Sequence, residues 1–543
     1  MLLCIFKFKM LFDLFRIPCG KAYEHVARFA ASGDGPLFTF VKIVMLVTVY
    51  PFIYLCIYLD RKWCVHQSAA PKGRKQRLNP LIPFPRRPIE VREHPTWLFE
   101  RLVSQSPGVF RSAIVASGIQ GPTKIVFSDA VTYSPLDTEP DKNKAVIRIV
   151  YKFFVLPAKE KVAVENKAKE HALDVFLKTP SVREFSVSLK ALAATFSILP
   201  REVVWYRKLM LAHEGQNEPF PLPVPGAIFT EYARLFDTYI VATHTAGGAN
   251  GKASVYRAIP DWRMNDLRKA RHMLAVIATF HAANWDLRQP AKVGPSRSSF
   301  DFHKYFPAEM RNATAFVSAG MSVFFEKRAT ASFKQLWPAI ARRLQGEPLV
   351  MSHGDFRPGN MLWNTATPDV LDIVVCDMEL ATVTSYGWDA SYMMYIGLPV
   401  GLRREHEAAL FTEYLTALHA ALRTRTSGAK QQVGGTAWPA APGSAAATTL
   451  HQLFGLALFF YGWTLAVLGE MPSAEDKSLQ GNTNEDAKAW HDRMLAMLGD
   501  LVGPLAAAGR RAGLAAELGV PERVLEEFFE DGTKMLNASK ETV

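Results

Sequence analysis

From Asp266 to Trp285 (DLRKARHMLAVIATFHAANW) apolar residues recur every three or four positions, which predicts an amphipathic helix with one face turned to a core. A second helix is predicted from His451 to Leu468, where the apolar run is nearly continuous and the aromatic residues of LFGLALFFYGW (Leu453 to Trp463) read as core packing rather than a ligand cage. The first half reads differently. KIVFSDAVTY, KAVIRIVYKFFV and FSVSLKAL are short runs of β-branched and aromatic residues with an alternating pattern, the signature of strands. Strand-rich segments followed by helix-rich ones predict an α+β protein with two lobes, a sheet-based one over 96–245 and a helical one over 246–543.

Two segments fall outside these patterns. Residues 60–95, with PKGRKQRLNPLIPFPRRP at their centre, are rich in proline and basic side chains and read as an extended tether. Thr424 to Thr448 is poor in periodic apolar residues and reads as a surface insertion at 424–448 in the helical lobe. Ahead of the tether, after an N-terminal segment 1–36, Leu37 to Leu59 is apolar over a length that suits a transmembrane helix, with Lys42 and Pro51 as its blemishes. Basic residues are denser after this segment than before it. The expected placement is therefore a single-pass membrane protein, tethered by its N-terminal helix, with the remaining chain facing the cytosol.

Composition narrows the class. The chain has 543 residues, 49% hydrophobic and 21% charged, enough apolar content for a folded core and too many residues for one compact core. Its net charge of +12 is concentrated beside the apolar segment rather than on a recognition helix, so a membrane surface, not nucleic acid, is the expected partner. Of the five cysteines, only Cys376 lies beyond Cys64, so no disulfide framework can hold the rest together, and a reducing compartment fits.

The richest chemistry lies in Val350 to Trp363 (VMSHGDFRPGNMLW), followed by turn residues Asn364 to Asp369 and the strand-like VLDIVVC that ends at Asp377, Met378 and Glu379. A turn between two apolar runs predicts a β-hairpin that returns Asp377 toward the Asp355 to Asn360 loop. Phosphoryl transfer relies on positioning and on neutralised phosphate charge, and this set suits it. Asp355 would orient an acceptor hydroxyl and take its proton, while Asn360 and Asp377 would hold Mg²⁺ against the phosphates of ATP. His353 is expected to brace the loop by hydrogen bonding. Glu379 could touch metal or substrate, or pair with a nearby base.

His353-Gly354-Asp355 with Asn360 five residues on, and Asp377 after a hairpin, resembles the motifs of the aminoglycoside phosphotransferase and choline kinase superfamily, nearest to its ecdysteroid-kinase-like, or choline-kinase-like, branch. Three further stretches follow that branch's order: Arg201 to Tyr206, Leu274 to Trp285 with His281, and Gly387 to Tyr392 with Asp389, so that the likeness runs from about Val115 to Leu501. The resemblance implies a bilobal protein-kinase-like fold, with an antiparallel sheet in the first lobe and helices in the second.

A nucleotide site of that kind also needs cations and donors on the strand-rich lobe. Lys190 is chosen to touch the phosphates with Glu202 as its ion-pair partner, a choice that makes 136–180 an insertion; Lys152 is its rival. The phosphate-covering turn is expected at Ser117 to Lys124, through Gly118 and Gly121.

The function expected is transfer of the γ-phosphate of ATP to a hydroxyl of a small molecule. A protein kinase is disfavoured, because only about a dozen residues separate Asp377 from Asp389 and no A-P-E-like segment follows. The alternative is a membrane-tethered, catalytically inactive nucleotide-binding or scaffolding protein.

Overall fold

A computed structural model of the chain describes residues 88–133, 146–159, 169–179, 200–213, 220–233, 238–246, 256–259, 264–285, 330–367, 369–427, 438–467, 483–503 and 509–541, with Leu55, Tyr58 and Leu59 besides. The chain divides into two compact units, Met1–Leu211 with Pro225–Ser254, and Ala212–Val224 with Val255–Val543.

In the first unit, helices α1 (Pro88–Glu93) and α2 (Pro95–Gln105), a 3₁₀ turn and helix α3 (Arg111–Ser117) precede the strands. The strands are β1 (Thr123–Tyr133), β2 (Val146–Pro157), β3 (Glu170–Lys178), β4 (Ala227–Ala233) and β5 (Thr238–His244), with helix α4 (Pro200–His213) between β3 and β4. They form one antiparallel sheet in the order β1-β2-β3-β5-β4. Alternation in β2 buries Ile147, Ile149, Tyr151, Phe153 and Val155 on one face, against Leu98, Phe99, Leu102 and Phe110. Phe99 alone meets the rings of Phe110, Phe127 and Tyr151 at 5.7, 5.3 and 5.6 Å. Burying a ring of that size contributes about 2–3 kcal/mol.

The second unit contains β6 (Tyr256–Ala258), α5 (Leu267–Ala283), α6 (Ala331–Gln345), β7 (Leu349–Ser352), β8 (Met361–Asn364), β9 (Ile373–Val375), β10 (Thr382–Ser385), α7 (Trp388–Tyr392), α8 (Val400–Ser427), α9 (Ala445–Val467), α10 (Thr483–Val502), α11 (Arg510–Leu518) and α12 (Glu522–Glu541). Asp266 caps α5 by accepting from the N–H groups of Arg268 and Lys269. The aromatic run of α9 is core: Phe454, Phe459 and Phe460 are fully buried, and Phe333 of α6 sits 4.7 Å from Phe528 of α12 and 5.2 Å from Phe460. An antiparallel sheet in one unit and a helix-dominated second unit agree with the α+β layout expected.

Several expectations need correction. Among the described residues no helix is long and apolar enough to cross a membrane, which overturns the single-pass membrane placement. Apart from Leu55, Tyr58 and Leu59, the segment 37–59 lies outside the described residues. Length and apolarity alone do not make a spanning helix, and Lys42 and Pro51 both work against one. The tether does not stay extended to residue 95, because Pro88–Glu93 and Pro95–Gln105 are helical and Val91 is buried. Proline opens both helices, at the position where its missing N–H costs nothing. The 424–448 insertion is helical at both ends, since α8 runs to Ser427 and α9 starts at Ala445, whose alanines are the best helix formers.

The strand expected over FSVSLKAL lies outside the described residues. Within 136–180, the described residues 146–157 and 170–178 form β2 and β3 of the sheet, β3 pairing with both β2 and β5, where an insertion was expected. Gly118 and Gly121 both take positive φ, at 67° and 102°, but they end α3 and lead into β1. Thr123 pairs with Pro157, so this turn lies at the end of the hairpin opposite the β1–β2 connection.

Candidate active site

The β8–β9 hairpin is formed with Met361 opposite Val375 and Trp363 opposite Ile373. Beyond its last pair, the N–H of Cys376 donates to the carbonyl of Asn360 at 2.9 Å, which sets Asp377 beside the 3₁₀ turn Pro358–Asn360. Asp377 takes φ 66°, ψ 68°; among the described residues it alone, glycines aside, has positive φ. A non-glycine residue in that region costs of order 1 kcal/mol or more, and aspartate is among the few that tolerate it.

Asn360 donates from Nδ2 to the Asp355 carboxylate at 2.7 Å and to the Asp355 carbonyl at 2.9 Å. Both partners are acceptors, so the amide's NH₂ must face them and Oδ1 turns the other way. An amide oxygen such as that of Asn360 and a carboxylate such as that of Asp377 are hard oxygen donors of the kind Mg²⁺ prefers.

Asp355 is held in place but left partly open, with 14% of its side chain exposed. Besides Asn360, Arg357 Nε donates to both of its oxygens, at 3.1 and 3.2 Å, and the buried Tyr392 hydroxyl bonds to it. Burial, followed by the charge of Asp355, drives the Tyr392 phenol well above its ordinary pKa, so Tyr392 stays a neutral donor.

His353 is fully buried and braces the loop as expected. Its Nδ1 accepts from the N–H of Asp355 at 3.2 Å, so the proton is on Nε2, which donates to the carbonyl of Cys376 at 2.8 Å. The ring thus ties the Asp355 loop to the strand that delivers Asp377. Gly354 is required here, because with φ 85° a Cβ would lie 2.0 Å from the Leu380 carbonyl oxygen.

Asp389, at the start of α7, holds the loop from behind. One carboxylate oxygen accepts from Ser352 Oγ at 2.7 Å and the N–H of Gly354 at 2.9 Å. The other accepts from the N–H of His353 at 2.8 Å and from His281 Nε2 at 3.0 Å. The Tyr414 hydroxyl donates to the carbonyl of Tyr386 and is hydrogen-bonded to His281 Nδ1 at 2.8 Å, which ties α5 and α8 to this anchor. Burial alone would raise the Asp389 pKa, yet the hydrogen bond and charge of His281, with His353 and Ser352, outweigh it and hold the carboxyl below its ordinary value.

A π-helical turn, Met393–Gly397, follows α7 and backs the 3₁₀ turn, where a Cβ on Gly397 would lie 2.6 Å from Pro358 Cδ. This turn is anchored in turn by Glu407 of α8, which accepts from Tyr395 at 2.7 Å and from Arg403 at 2.7 Å and pairs with His451 at 3.0 Å. Burial opposes ionisation of Glu407, but His451 and Arg403 prevail and lower its pKa to about 2.

In the first unit Glu202 of α4 is buried and pairs with Lys178, the last residue of β3, at 2.8 Å, while Tyr239 donates to the same carboxylate oxygen at 3.2 Å. Lys178 was passed over in the sequence, although it ends an alternating run, HALDVFLK, one strand ahead of the Glu202 helix. Lys190 lies outside the described residues, and Lys152 pairs with Glu170 on the surface at 3.5 Å. Glu379 stands in the 3₁₀ turn Met378–Leu380, which carries the chain from Asp377 to β10. Arg357 and Tyr392, both in contact with Asp355, had no role assigned from the sequence.

Residues 250–426 match the model of the Ecdysteroid kinase-like family. The resemblance read from the motifs therefore holds over a segment that includes His281, the whole Asp355 loop, Asp377 and Asp389, although it is shorter than the span expected. No curated protein matches the chain. Among solved structures, the chain is similar to a choline/ethanolamine kinase family protein from Mesorhizobium loti, with 12% identity, 76% of this chain and 99% of that one covered, and a TM-score of 0.37. It is also similar to choline kinase LicA from Streptococcus pneumoniae, at 11% identity, 68% and 94% coverage and a TM-score of 0.32. A third is the GDP complex of aminoglycoside 2'-phosphotransferase-IIIa, at 10% identity, 72% and 97% coverage and a TM-score of 0.32.

Proposed function

We propose that the chain is a phosphotransferase that moves the γ-phosphate of ATP to a hydroxyl group of a small molecule. The observation that carries this reading is the hairpin register that returns Asp377 to the turn where Asn360 is bonded to Asp355. Asn360 Oδ1 and the Asp377 carboxylate would hold Mg²⁺, which supplies neutralisation of phosphate charge when bound. The Asp355 carboxylate accepts the proton of the acceptor hydroxyl as its oxygen bonds to the γ-phosphorus; the bond from that phosphorus to the bridging oxygen breaks, and ADP leaves.

Lys178, steadied by Glu202, takes the phosphate-binding role first given to Lys190, since a strand lysine fixed by a buried helix glutamate is pre-set in position and charge. Only β10 and the start of α7 lie between the 3₁₀ turn after Asp377 and Asp389, which leaves no length for a peptide-docking segment and favours a small acceptor. The match to the Ecdysteroid kinase-like family supports the same choice.

The test is transfer of label from γ-labelled ATP into a metabolite extract, with magnesium, by the purified chain and by Asp355→Ala. A labelled small molecule formed by the first and not the second is the expected result. Magnesium-dependent nucleotide binding without any labelled product would favour an inactive scaffold instead.

A further inference from the structure

Arg357 has no place in the roles above, yet its guanidinium is fixed beside the group that does the chemistry. Its backbone is extended, with φ −142° and ψ 160°, and its carbonyl closes the turn by accepting from the N–H of Asn360 at 3.0 Å. Gly397 backs it closely, since a Cβ there would lie 3.6 Å from Arg357 Cα. The side chain then reaches Asp355, with Nε donating to both carboxylate oxygens, and a third of it remains exposed, at 33%.

A carboxylate base standing alone would draw in a cationic acceptor by simple attraction. Here the negative charge is already answered by a permanent cation that cannot be deprotonated. A quaternary ammonium or protonated amine carried near the reacting hydroxyl would meet the guanidinium at short range, in a partly desolvated place where like charges repel most. A neutral or anionic alcohol meets no such opposition. We propose that Arg357 is a specificity-determining residue that selects acceptors bearing no positive charge near the reacting hydroxyl and turns away amino alcohols.

The inference rests on the phosphotransferase reading, so magnesium-dependent binding of a non-hydrolysable ATP analogue is measured first. Its absence counts against that reading and removes this inference with it. With the analogue bound, ligand-observed NMR then ranks three probes on the full chain: choline, its neutral carbon isostere neohexyl alcohol, and glycerate. The expected result is that choline binds about tenfold or more weakly than the isostere, the order of a single partly screened charge contact, with glycerate at least equal to the isostere. In Arg357→Gln that gap should close to within about threefold, while Arg357→Lys, which keeps the charge, should preserve it. Choline binding as tightly as its isostere, a gap unmoved in Arg357→Gln, or no binding of any probe would each overturn the proposal.

Discussion

Two aspartates of the second unit, Asp355 within the loop after β7 and Asp389 at the start of α7 behind that loop, are treated in opposite ways. Asp389 is fully buried and accepts four hydrogen bonds, from Ser352, His353, Gly354 and His281, which fill its acceptor capacity. Asp355 is partly exposed and its partners are the two polar side chains of its own turn, Arg357 and Asn360, with Tyr392 from α7. The same side chain thus serves once as an anchor and, in the function proposed, once as the reactive group. A saturated carboxylate can only hold, whereas one left partly open can take a proton.

That contrast is broken most severely by Asp389→Asn. The amide would turn an NH₂ toward at least one of four donors, and losing one partner of a buried pair costs about 3–5 kcal/mol, so denaturant unfolding should show a stability loss of that size. Next comes the Glu407 anchor. Its folded pKa of about 2 lies below the ordinary 4.5, so its contribution is complete above about pH 4.5 and fades as pH falls toward 2. Between those limits stability should drop by roughly 3 kcal/mol, and Glu407→Gln should flatten that slope in unfolding measured across the range. Gly354→Ala should cost about 2–3 kcal/mol from its positive φ and the clash with Leu380, read as a lowered unfolding midpoint together with lost turnover. The smallest effect on stability belongs to Asp355→Asn, within about 1 kcal/mol. Its turnover should nevertheless fall about 10²–10⁴-fold as the base is lost, so a calorimetric scan and a rate on the same sample sharpen the difference between the two aspartates.

The parts of this site legible in the sequence are those fixed by local pattern. Turn residues Asn364 to Asp369 between two apolar runs announced the hairpin, and the spacing of His353, Asp355, Asn360 and Asp377 announced the family resemblance. The three- and four-residue periodicity of α5 placed His281 on its buried face. What escaped depended on contacts distant in the chain. Lys178 ends an alternating strand-like run, but only the fold shows it paired with Glu202. Gly118 and Gly121 correctly signalled a turn, but a glycine pair does not say which end of a hairpin it occupies. The apolar run at 37–59 suited a membrane by length alone, a property shared by buried helices. Arg357 looks like any loop arginine until the fold closes its turn against Asp355.

The central claim is that the hairpin brings Asn360 and Asp377 together to hold the metal while Asp355, outside the metal's ligands, serves the acceptor. The most direct measurement is an experimental structure of the chain with magnesium and a non-hydrolysable ATP analogue. It should show Mg²⁺ bound by Asn360 Oδ1 and an Asp377 oxygen at about 2.0–2.1 Å, with Asp355 outside the metal's ligands. A metal held by other residues, or Asn360 and Asp377 facing apart with the nucleotide bound elsewhere, would contradict it.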